Sequence, residues 1–249
     1  MTHHRPGLGG LLRSEALKAA TLPATYGLLA VILAITALNT VLPLSDPHAN
    51  LAVLHTVRHA LSAGRDFTVL FVALGAVGAA TEFRHRTAIP TLLATPRRDR
   101  LMGAKIAIYL ALGLLAALAA AAAQLAIVLP WAATNGHAVG PWDPAVLDPV
   151  LASVTAGAGY AALGVAIGLL VRNQLVALLI AIGWFTVAEN ALAILLPGVS
   201  RFLPGGALSG VDTAGLHLLP LYAALPLLAA WVAAISALAL HTTLRRDIA

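Results

Sequence analysis

The chain of 249 residues contains no cysteine, which excludes a disulfide framework, a thiolate metal site and a thiol nucleophile. Charge is almost as scarce: Asp, Glu, Lys and Arg make up 10% of the chain, whereas soluble domains carry about 25%. An ordinary soluble fold is thereby excluded. Lysine occurs only at positions 18 and 105, and Lys105 is followed by isoleucine, so no G-x-x-x-x-G-K-[ST] loop is present to cradle phosphates. If ATP drives this protein, another chain must bind it. The sequence also lacks G-x-S-x-G, H-E-x-x-H and a paired Glu-Glu of the kind an intramembrane metal-dependent protease needs, so no catalytic residue is assigned and no enzymatic activity is expected.

What fills the chain is hydrocarbon: 60% of residues are hydrophobic, gathered in runs long enough to span a bilayer. Six segments can be marked, at 24–42, 66–83, 101–130, 145–171, 175–197 and 217–241. The expected fold is an all-α integral membrane protein with six transmembrane helices in a single domain, 1–249. The second segment is the weakest, because its strictly apolar part, 67–80, is short for a bilayer that needs about 20 residues. The preceding stretch LAVLHTVRHALSA, 51–63, is apolar at helical spacing with His55, Arg58 and His59 interleaved, and either lies on the membrane interface or extends the second helix. About 22 mixed residues precede the first run and no small-residue cleavage site follows it, so residues 24–42 are expected to be a retained helix rather than a secretory signal.

The positive charges fall unevenly on the connections. With the N-terminus in the cytoplasm, one side holds Arg5, Arg13, Lys18, Arg84, Arg86, Arg97, Arg98, Arg100, Lys105, Arg172, Arg245 and Arg246, and the other only Arg58, Arg65 and Arg201. That asymmetry places both termini in the cytoplasm of a multi-pass cell-membrane protein. The formal charge of +5 then reflects loops attracted to anionic lipid, and no nucleic-acid partner is expected.

A few residues stand out against the apolar background. Glu189, next to Asn190 in the fifth segment, is costly in a bilayer unless paired, protonated or facing water. It marks either a substrate path or helix break, or a structural hydrogen bond to Asn190 or a neighbouring helix. Gln124 lies deep in the third segment, and Gln124, Glu189 and Asn190 are the polar candidates along a path. The Pro- and Gly-dense stretch 197–210 suits a short re-entrant or interfacial turn. Gly157, Gly159, Gly164 and Gly168 allow close helix approach, within the chain or between two copies. His55 and His59 share a helix face without an accompanying carboxylate, and no metal site is assigned.

Residues 81–106, TEFRHRTAIPTLLATPRRDRLMGAKI, gather six of the fifteen Lys and Arg. Thr87 can cap a short helix, Pro90 sits in its first turn and Pro96 ends it, while Ile89, Leu92 and Leu93 fall on one face. Such a helix suits a groove on a soluble partner, with anionic lipid as the competing ligand. Glu82, Arg84, Arg86 and Thr87, the Leu92–Leu93 pair, Pro96, Arg97, Arg98 and Arg100, with Lys105 opening the next helix, resemble the loop between helices two and three of type-2 permeases of ATP-binding-cassette exporters. The likeness extends over most of the chain, although Arg86 stands where that family often has glycine and Pro90 is an additional break.

The resemblance implies that this loop forms the coupling helix, which docks on a separate ATPase subunit carrying ATP and Mg, so that Glu82, Arg84, Arg86, Thr87, Leu92, Leu93, Pro96, Arg97, Arg98 and Arg100, together with Ile89 of the apolar face, are the coupling residues. It implies a second permease copy, identical or not, and outward movement of an apolar or amphipathic substrate. It also implies that Leu11, Leu12, Ala16 and Leu17 belong to an N-terminal interfacial helix beside the ATPase. The alternatives are a secondary transporter without an ATPase, which should show repeated halves and midplane ion ligands, or a non-transporting membrane scaffold.

Overall fold

A computed structural model describes residues 8–62, 68–84, 98–205 and 221–246, and no strand occurs among them. The helices are α1 Leu8–Thr21, α2 Pro23–Leu44, α3 Val53–Ser62, α4 Thr68–Arg84, α5 Arg98–Thr134 and α6 Pro144–Val171. They are followed by α7 Gln174–Leu195, the four-residue α8 Pro197–Ser200 and α9 Leu221–Arg246.

Helices α2, α5, α6, α7 and α9 contain stretches long and apolar enough to cross a membrane. The 17 described residues of α4 extend about 25 Å, short of the roughly 30 Å hydrocarbon core, so among the described residues five helices meet the length a span requires. Helix α5 goes the other way: its 37 residues extend about 55 Å, and Pro130 lies near its end. The stretch at 51–63 is described as far as Ser62, and residues 63–67, which join it to α4, lie outside the described residues. It forms α3 after a 3-10 turn at Ala49–Ala52, and Val53, Val57, Ala60 and Leu61 bury one face against the adjoining ends of α2, α5 and α6.

Local chemistry explains the boundaries. Asp143 caps α6 by accepting the Ala145 N–H at 2.8 Å, with Pro144 in the first turn where no N–H is needed. Arg172 ends α6 in the left-handed conformation at φ 57°, donating its N–H to the Gly168 carbonyl. Asn173 then restarts the chain, its side chain accepting from the N–H groups of Leu175 and Val176. Two residues thus reverse the chain between α6 and α7.

Helix α6 is the hub. It packs against α4, α5 and α9, and most of its apolar stretch is buried, whereas α2, α7 and α9 leave most of theirs uncovered. Its closest neighbour is α4. A Cβ at Gly164 would run into the Val72 carbonyl, and one at Gly75 into the Ala161 carbonyl, so the two backbones touch where side chains would hold them apart. Gly157 and Gly168 face α4 as well, and Gly159 faces Leu228 of α9. The glycine-bearing face of α6 therefore serves packing within the chain. Where hydrocarbon offers little drive for helix association, such close approach provides the dispersion contact that holds a bundle. Ile32, Leu74, Tyr160, Leu163 and Leu228 complete this central core.

Candidate functional site

Three features of the bundle place polar or open positions among apolar helices. The first lies in α7. Its residues Gly183–Ala188 form a π-helical segment, a local widening that recurs at functional positions. At this spacing of five, the Trp184 indole donates to Glu189 Oε1 at 2.7 Å, and the same oxygen accepts the Gly205 N–H at 3.1 Å. Glu189 is 8% exposed and its partners are these two groups, not Asn190, whose amide donates instead to the Thr186 carbonyl.

Residues 201–205 form a turn tied down from three sides. Glu189 holds Gly205, the Tyr160 hydroxyl donates to the Pro204 carbonyl at 3.0 Å, and the Trp231 indole donates to the Phe202 carbonyl at 3.0 Å. The Arg201 guanidinium lies 4.8 Å from the centre of the Phe202 ring. The turn expected near Pro197 is thus a folded element anchored to α6, α7 and α9. A Cβ at Gly205 would meet the Glu189 carboxylate, so a side chain there would displace that carboxylate from its present position.

The second feature joins α1 to α5. Lys105 Nζ donates to Glu15 Oε2 at 2.6 Å, and Lys18 Nζ donates to Glu15 Oε1 at 2.7 Å. Glu15 is 1% exposed and Lys105 2%, so the pair is sealed from its surroundings, while Lys18 remains partly open. Leu11 and Ala19 lie on the same face of α1, the former packed with Leu101 and Ala104 of α5. Leu17, on the other face, is exposed. Lys105 is therefore not one of the loop charges; it stands inside α5 and holds the N-terminal helix.

Gln124 is buried, and its amide donates to the carbonyls of Ala60 and Leu61, both at 3.3 Å. These carbonyls belong to the last described turn of α3, so Gln124 ties that turn to α5. The hydrogen bonds of Gln124 and Glu189 run to different elements, and Asn190 is exposed, so the three polar candidates do not form one constellation.

The third feature is a cavity of about 500 Å³ bounded by Leu110 and Leu114 of α5, Ala158 and Ala162 of α6, and Ala229 and Val232 of α9. It exists because α9 leans on α6 and barely touches α5.

Of the residues in the basic segment, Arg86, Thr87, Ile89, Leu92, Leu93, Pro96 and Arg97 lie outside the described residues. Glu82 and Arg84 close α4, Arg98 opens α5, and Arg100 is exposed in the first turn of α5. His55 and His59 stack nearly parallel, 6.4 Å apart, on the open face of α3. Among the described residues no group of three or more His, Asp or Glu side chains comes together to hold a metal ion.

Sequence reasoning passed over Glu15, Tyr160, Trp184 and Trp231. For Glu15 a signal was present, since a lone carboxylate interrupts the four-residue stripe Leu11, Glu15, Ala19. These elements define a multi-pass helical membrane protein. No protein-family model matches the chain, and no curated protein matches it.

Proposed function

We propose that the chain is the transmembrane permease subunit of an ATP-driven exporter of the cell membrane, moving an apolar or amphipathic substrate in concert with a separate ATPase. The observation that carries this reading is the buried Glu15–Lys105 pair. Helix α5 begins directly after the basic, proline-bounded segment 85–97, and Lys105 stands two turns into it. A soluble partner gripping that segment would therefore act on α5 and, through the ion pair, on α1 at once. A device that converts a partner's ATP cycle into helix movement needs such a rigid connection, because binding shifts an equilibrium only when the contacts differ between two states.

The end of the bundle where this clamp lies also carries Arg13, Lys18, Arg98, Arg100, Arg172, Arg245 and Arg246, whereas the end with α3 and α8 carries Arg58 and Arg201. In this reading the basic end faces the cytoplasm together with both termini, ATP and Mg are bound by the partner, and two permease copies flank the path.

The test is to purify the chain with a Walker-type ATPase encoded beside it. Replacing Ile89, Leu92 and Leu93 together by aspartate is expected to abolish co-purification and the permease's effect on ATP hydrolysis. A complex that survives those changes with its hydrolysis rate unaltered refutes the reading.

A further inference from the structure

We propose that the cavity between α5, α6 and α9 is a binding site for one acyl chain of a bilayer phospholipid, entering from the side. This assignment is independent of the transport reading, since it rests on the walls of the cavity alone.

All three walls belong to helices long and apolar enough to cross a membrane, and the rim residues Leu110 and Leu225 are 43% and 40% exposed. The mouth is thus continuous with the hydrocarbon-facing surface, and a molecule dissolved in the bilayer reaches it without crossing a polar layer. The space of about 500 Å³ is open on its outer side, and its lining atoms lose their dispersion contacts outright unless a molecule from the surrounding phase fills it. Water is a poor occupant, for it needs two to four polar partners. Two lining residues carry hydroxyls. That of Thr155 already donates within its own helix, to the carbonyls of Leu151 and Ala152, and Ser236 Oγ is covered and presents no surface. The occupant is therefore hydrocarbon without a polar group at this depth, which describes the chain of a lipid and not its headgroup.

Small residues give the space its depth. Ala158, Gly159 and Ala162 line α6, and Ala229 and Ala233 line α9 opposite them. At Gly159 a Cβ would meet the end of the Leu228 side chain, so the α6–α9 contact beside the cavity is close as it stands.

The experiment uses the full chain reconstituted in dioleoyl phosphatidylcholine vesicles containing a trace of a phosphatidylcholine with a diazirine on its sn-2 chain, and maps the photolabel by mass spectrometry. The label is expected to concentrate severalfold on Leu110, Leu114 and Val232 over Leu38, Leu179 and Ile194, which are also uncovered, and to saturate as the probe fraction rises. Ala229→Phe and, separately, Ala233→Phe, both at exposed positions that folding should tolerate, are expected to remove label from Leu110 and Leu114 and leave the control residues unchanged. Equal labelling of lining and control residues would show ordinary annular lipid and overturn the proposal. So would label that persists in the filled variants, or lining residues silent in the wild type while the controls react, which would mean that a second protein helix or closure occupies the space.

Discussion

Replacing Glu15 by glutamine tests the clamp most directly. The substitution keeps the shape of the side chain but leaves the Lys105 ammonium, 2% exposed, without the carboxylate 2.6 Å away. Removing one partner from a buried ion pair costs up to about 3–5 kcal/mol, because the remaining charge loses its counter-charge, and less where that charge keeps another contact, as Lys105 does. The Lys18 contact adds little, since a pair with a partly exposed member contributes roughly 0–1 kcal/mol. If α1 unfolds with the rest of the chain, a loss of up to about 3–5 kcal/mol lowers the melting temperature in detergent by up to roughly 6–20 °C, at about 2–4 °C per kcal/mol for a chain of this size. If α1 instead detaches alone, the midpoint holds and amide exchange over Leu8–Thr21 rises, because local openings carry their own free energies. Thermal unfolding and hydrogen exchange measured on one sample separate the two cases. The double variant Glu15→Leu/Lys105→Met removes both charges and is expected to recover most of the loss, as apolar replacements of buried pairs often do. The reasoning fails if Glu15→Gln changes neither observable. It fails equally if the double variant is as damaged as the single one, since packing rather than charge would then account for the effect.

Gly164→Ala forces a methyl group against the Val72 carbonyl, and the α4–α6 contact must open; a loss of about 1–3 kcal/mol or more is expected in a denaturant titration of the reconstituted protein. Gln124→Leu removes the hydrogen bonds to the carbonyls of Ala60 and Leu61 and is expected to cost about 1–2 kcal/mol, read as faster exchange in α3; unchanged exchange there would refute the role of Gln124 in holding α3.

Long helices were legible because hydropathy averages over many residues and their ends carry local signals. The stretches 24–42, 145–171 and 175–197 became Pro23–Leu44, Pro144–Val171 and Gln174–Leu195, with Pro23, Asp143 and Asn173 marking where each begins. The second segment was doubtful in the sequence because its apolar run is limited, and the 17 described residues of α4 fall short of a span. Interactions that join distant parts left weaker marks. Glu15 and Lys105 are 90 positions apart, and a lysine at the head of a membrane helix looks like any topogenic charge until its partner is known. Glu189 was conspicuous as a lone acid, but its partners depended on two things hydropathy does not encode, the widened turn that brings Trp184 to it and the fold of residues 201–205. The apolar cavity was invisible for a different reason. It is made by the divergence of α5 and α9 around α6, a property of axes rather than of any residue.

The π segment in α7 has a bearing on how the chain tolerates changes in length. A π turn holds in effect one residue more than an α turn, and one residue of α-helix corresponds to about 100° of rotation. Ala177 and Ala181 face inward before the segment and Glu189 faces inward after it. If the same residues wound as a regular α-helix, Glu189 would swing about 100° away from that face. The segment therefore stores an insertion. Residues 183–188 form a stretch of α7 where deleting a single residue would restore regular winding while keeping the inward faces on either side in phase, whereas a deletion in the regular turns before it would turn Glu189 and everything beyond it toward the lipid.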